Sequence, residues 1–254
     1  MANFWVGSVS ASELLALKHI GVEPVGQVYG VSVKGLATSY FPVVTSEVVG
    51  EVEGFSQMLS ECMFLINAQA DQVGANGVLD CKVDYDVDLE LIDIGYLKYT
   101  LQITGTAVQD RDSKCEHRYF ATMSPCELIA MRKAGYEPCG LAIGNCTYFQ
   151  VAWRQQPKLG PFGTWANEEI KELTQGPYTA REIAMERLMN MARNVGGTGI
   201  VGVQLETEVS PSGSLVLGTM AAFCRMFLYG TAIRSNPFPS SQVSVMTTVP
   251  IGRD

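Results

Sequence analysis

The chain carries the same unit twice, and that duplication restricts its fold more than any other feature of the sequence. Ser10-Ala11-Ser12-Glu13 opens a short helix, Gly21 stops it, and Glu23-Pro24-Val25-Gly26 leads into an apolar strand. Ser124-Pro125-Cys126-Glu127, Gly135 and Glu137-Pro138-Cys139-Gly140 repeat that order at a constant spacing of 114 residues, with proline at the first helical position. Further on, Val73-Gly74-Ala75-Asn76-Gly77 matches Val195-Gly196-Gly197-Thr198-Gly199, and Thr104-Gly105-Thr106-Ala107-Val108 matches Tyr229-Gly230-Thr231-Ala232-Ile233. Each half is therefore expected to read helix, strand, long loop, long helix, strand, turn, strand. This places the protein in the α+β class as two tandem domains, residues 1–112 and 113–236. The charged stretch 109–120 marks the boundary, and residues 237–254, rich in Pro, Ser and Thr, form a C-terminal arm.

The long helix of the second half is expected to start at Thr179, where Glu182 completes a capping box and Tyr178 can staple onto Ile183, and to end at Gly196. Ala184, Leu188, Met191, Ala192 and Val195 form its apolar stripe. Its counterpart over residues 55–73 carries only Glu61 and Asp71 as charges, so a sheet on one side cannot cover it; the other domain or another subunit must. Then Leu79, Cys81, Val83, Tyr85 and Val87 alternate with Asp80, Lys82, Asp84, Asp86 and Asp88, which gives a strand with one core face and one acidic face. After a turn at Asp93-Ile94-Gly95, residues 97–104 alternate again and pair antiparallel, with Lys98 facing the acids. Residues 34–54 and 154–177 read as long loops.

A net charge of -8, from 26 acidic and 18 basic residues without a basic cluster, argues against a nucleic-acid surface. No run approaches the roughly 18 apolar residues of a membrane span, and the N-terminus has no basic and apolar leader, so a cytoplasmic protein is expected. Seven cysteines at unpaired spacings suit free thiols, and Cys126, Cys139 and Cys146 read as small buried hydrophobes.

The glycine pairs Gly26/Gly30 and Gly140/Gly144, a capped helix ending in Val-Gly, the strand Gly199-Ile200-Val201-Gly202-Val203 and the closing Tyr229-Gly230-Thr231-Ala232 together resemble the YbjQ-like family, labelled as heavy-metal-binding. Both halves resemble it, and residues 180–206 do so nearly end to end. The resemblance implies a dodecin-like β-α-β-β unit whose small sheets close into a pentameric ring.

Chemistry-bearing groups are few. His19 reads as a surface residue at the place of Lys133. Cys115 and His117 put a thiol and an imidazole two residues apart, both ligands for a divalent metal, although a structural zinc needs about four. Asp84, Asp86 and Asp88, in a row with Asp80 and Glu90, could hold a hard cation or simply keep a strand soluble. No Ser-His-Asp set can be assigned, and the glycine-rich turns precede strands where a phosphate cradle would precede a helix. The expectation is a non-enzymatic, ring-forming homo-oligomer, with a metal-binding or metal-sensing module as the alternative. Five chains forming two stacked rings are the favoured closure; three chains alternating their two halves in one ring are the other.

Overall fold

In a computed structural model, described for residues 9–37, 44–88, 96–113, 117–153, 171–214 and 219–235, the chain is α+β, with four α-helices and two four-stranded sheets among those residues. The first half runs α1 (Ala11–His19), β1 (Val22–Ala37), β2 (Ser46–Glu47), α2 (Val49–Gln72), β3 (Gly77–Asp88) and β4 (Tyr96–Asp110). The second runs β5 (Tyr119–Phe120), α3 (Pro125–Lys133), β6 (Tyr136–Trp153), α4 (Lys171–Asn194), β7 (Gly199–Ser214) and β8 (Thr219–Ser235). No helix among the described residues is long and apolar enough to cross a membrane.

The first sheet has the order β1-β4-β3-β5 and the second β2-β6-β8-β7. Their long strands pair antiparallel, and each sheet borrows a short edge from the other half. Residues 46–47 join β6, and residues 119–120 run parallel to β3. The stretch that reads as a boundary thus supplies a strand to the sheet before it.

Local signals set the short helices. Both capping boxes form, Ser10 with Glu13 and Ser124 with Glu127, and Gly21 and Gly135 take φ of 71° and 84° just past the helix ends. Leu17 and Leu128 from these two helices are fully buried together in a small core that also takes in Leu79 and Tyr119. The long helices each cross a strand glycine. A Cβ at Gly30 would lie 2.5 Å from the Cys62 carbonyl oxygen, and one at Gly144 would collide with the Ala184 carbonyl. Close backbone approach of helix to sheet requires glycine at both places.

Four expectations are corrected. First, α4 starts at Lys171, and Pro177 lies inside it. Thr179 does not cap; its hydroxyl donates back to the Gln175 carbonyl, and Tyr178 stays exposed. Packing overrides the local signal here, since Leu173 and Ala180 pack on the sheet and Gly176 lies against Cys224 and Gln150. An interior proline removes one helical hydrogen bond. Second, α2 begins at Val49, inside the stretch that reads as a loop, and this start carries Glu51 into the interior. Third, Leu79 does not share a face with Cys81 and Val83. Asp80 adopts φ of 51°, a bulge follows, and the alternation changes phase, so Leu79 joins the small core between the halves. Fourth, Cys126 is exposed, while Cys146 is buried and Cys139 half-buried. On the expected stripe of α4, Ala184, Leu188 and Ala192 are buried but Val195 is 39% exposed. The turn at residues 93–95 and the arm at 237–254 lie outside the described residues.

Candidate assembly interface

Direct pairing defines two faces for each sheet. On the first, Val83, Tyr85 and Val87 lie opposite Ile103, Leu101 and Tyr99, all on the side that carries α2. That helix lies over β1 and β4, so it does not cover the β3 end of this face. The second sheet does. Its face turned away from α4 presents Leu141, Ile143, Phe227 and Tyr229, which enter one core with Cys81 and Val83. The Phe227 ring sits 5.5 Å from Tyr85 and 5.6 Å from Phe55. Burying each such side chain contributes about 1.5–3 kcal/mol, which makes this contact the main joint between the halves.

Ion pairs surround the joint with one polarity: arginines of the second half meet carboxylates of the first. Arg118 reaches Asp71 at 2.5 Å, Arg132 reaches Asp110 at 2.5 Å, and Arg187 reaches Glu47 at 2.5 Å. Arg225 reaches Glu51 at 2.9 Å, with Glu208 also accepting from it. Tyr119 donates to the same buried Asp110 carboxylate, which holds the junction to the end of β4. The Arg132 guanidinium is held above its ordinary value by Asp110 and Glu137 against the opposing effect of burial. No local motif announces these four pairs. The signal lies in charge distribution: 15 of the 26 acidic residues but only five of the 18 basic ones precede position 113.

Away from this contact, matching surfaces stay open on β7 and β1. The face of β7 on the α4 side carries Val203, Leu205 and Val209 at 44%, 50% and 51% exposure, because α4 lies chiefly over β6 and β8. The outer face of β1 carries Tyr29, Val31 and Val33 at 61%, 40% and 54%. Beside it on α2, Phe64 and Leu65 are exposed as well. The inner side of the charge-poor helix is thus covered by its own sheet, and near Phe55 by the second sheet, while part of its outer side is open.

The residues singled out for metal chemistry do not converge among the described positions. Asp84 and Asp86 are exposed on the outer face of β3, opposite Gln102 and Thr100. Asp88 pairs in register with Lys98, 3.7 Å away, as the alternation anticipated. His117 is exposed, and Cys115 lies outside the described residues. Among the described residues no group of three or more His, Cys, Asp or Glu is placed to hold a metal ion. A cleft of about 320 Å³ opens between the halves beside Asp86, Glu206, Glu208 and Arg225. Burial, and then the charge of Asp84, raise the Glu206 carboxyl above its ordinary value. Burial likewise pushes the Cys62 thiol up to about 11 and Cys81 to about 12, which keeps both protonated and inert.

Comparison with known proteins gives two matches. Residues 161–236 match the model of the YbjQ family, described as "Putative heavy-metal-binding". Over 207 residues the chain is 25% identical to an encapsulin nanocompartment protein of Mycobacterium tuberculosis, a match that covers 78% of this chain and 76% of that one. No solved structure matches.

Proposed function

We propose that this chain is a non-enzymatic structural protein that assembles with copies of itself into a closed ring, in the setting of a protein nanocompartment. The observation that carries the reading is the pair of open apolar faces, on β7 and on β1, in a body whose own halves are joined by the same kinds of face. Exposed apolar edge strands left free would template aggregation, so a dedicated partner is the physical expectation. The nanocompartment name of the mycobacterial relative supports the structural class and the setting. Each half is proposed to be a YbjQ-like, dodecin-like unit. Of the two closures, three chains that alternate their halves fit the side-by-side packing of first and second halves better than five chains that stack like on like.

Native mass spectrometry of the full chain tests the reading. A closed oligomer at micromolar concentration is expected; three chains would support the alternating ring and five the stacked one, while a monomer would overturn assembly altogether. The metal-binding alternative draws on the family description and on Cys115 and His117. A stoichiometric transition metal in tag-free protein, lost in the Cys115→Ala, His117→Ala variant, would replace the structural reading with that one.

A further inference from the structure

We infer that the open face of β7 in one copy receives the outer face of β1 and β4 in the next, so that the contact joining the two halves within each chain is repeated between chains. The inference rests on the proposed self-assembly and names the surfaces that perform it.

Position-by-position equivalence of the halves carries the argument. Bulges fall at Pro24/Gly26 and Pro138/Gly140, 114 residues apart. The left-handed residues Asp80 and Gly202, with φ of 51° and 63°, are 122 apart, as are the helix-terminating Gly74 and Gly196. Gln69 of α2 accepts from the Tyr29 amide at 3.1 Å and donates to its carbonyl at 2.7 Å, which satisfies the free edge of β1 at that residue. Met191 of α4, 122 residues later, accepts from the amide of Ile143, the equivalent of Tyr29, at 3.2 Å. The two long helices thus sit alike on their sheets.

Within the chain, Cys81, Val83, Tyr85 and Val87 receive Leu141, Ile143, Phe227 and Tyr229. The equivalents of the receiving residues are Val203, Leu205, Thr207 and Val209, all exposed. The equivalents of the inserting residues are Gln27, Tyr29, Gln102 and Thr104 on the outer face of the first sheet, where Val31 and Val33 extend the apolar strip. Each half-interface is present once more than the single chain can use. They also sit on different repeats, so one copy satisfies the other's need without competing with its own internal joint.

Chemistry at the replaced positions fits a contact between copies. The internal joint buries Arg225 against Glu51 and holds Arg187 against Glu47. At the equivalents of these arginines the first half has Thr100 and Leu65, and the equivalent of Glu51 is Leu173. Docking β1 onto β7 therefore strands no equivalent of the buried Arg225–Glu51 pair, whose separation would be costly, and Glu169, the equivalent of Glu47, is the one carboxylate of the set that is carried over. Because the two surfaces differ, the contact is head-to-tail, and such contacts close into rings or run on as filaments. Every ring so formed holds an even number of repeats.

Complementation of blocked chains tests this. Val31→Lys disables the inserting face, Leu205→Lys the receiving face, and both side chains are exposed, so the fold should survive, as a cooperative thermal melt would verify. Each variant alone is expected to be monomeric, and an equimolar mixture is expected to form dimers that grow no further, since each pair has one intact joint and two blocked ends. If either lysine variant unfolds, Val31→Asn and Leu205→Asn replace them in the same mixture. Variants that assemble like the unmodified chain would overturn this interface and leave self-assembly standing. Variants that are monomeric alone and remain so when mixed would overturn head-to-tail pairing. An unmodified chain that is itself monomeric would overturn the underlying proposal.

Discussion

Arg225 shows why the two halves are held in one arrangement. Its side chain is 7% exposed and that of Glu51 1%, so neither charge has water to fall back on. Arg225 also lies 5.5 Å from the Phe223 ring centroid, which fixes the plane of the guanidinium. Truncating Arg225 to Ala should cost about 3–5 kcal/mol, because it leaves the Glu51 carboxylate buried and unpaired. Replacing both residues with Met should cost much less, since the pair's attraction mostly offsets its own desolvation. Urea unfolding of Arg225→Met, Glu51→Met and the double variant measures the coupling. Additive losses would show that the pair does not hold the joint.

Among the elements, the features legible in sequence are those fixed by local hydrogen bonds. Ser10 with Glu13 and Ser124 with Glu127 cap their helices as their spacing announces. The same pattern at Thr179 and Glu182 fails, because burying Leu173 and seating Gly176 on the sheet gain more than a cap would. Strand phase was legible past Cys81 but not at Leu79, since a left-handed aspartate looks like any other in sequence. Its equivalent, Gly202, was the available clue. At Gly202 an added Cβ would meet only the Thr122 hydroxyl, at 3.5 Å, so its φ of 63°, and not space, is what demands glycine. Gly202→Val should therefore destabilise the protein by about 1–2 kcal/mol through backbone strain alone. An unchanged melting temperature would mean that β7 relaxes its bulge at no cost.

For the whole molecule, the partition between halves decides what each can do. The alternation in β3 revealed an apolar face, yet which body covers it depends on how two sheets meet, and no local pattern encodes that. The excess of acid in the first half and the four inward arginines of the second give the joint its polarity, while the open faces of β1 and β7 carry the exposed apolar side chains Tyr29, Val31, Val33, Val203, Leu205 and Val209. The central claim is that the internal joint is the template for the joint between copies. Tyr85 and Phe227, with rings 5.5 Å apart, correspond to Thr207 of one copy and Gln102 of the next. Cross-linking of a Gln102→Cys, Thr207→Cys chain with a short bis-maleimide, whose reach suits sheet faces packed about 10 Å apart where a disulfide is too short, tests that claim directly. Cross-links between chains through this pair are expected, joining the whole oligomer covalently without changing its number of chains in native conditions. An oligomer that forms normally while these two thiols stay unlinked would contradict it.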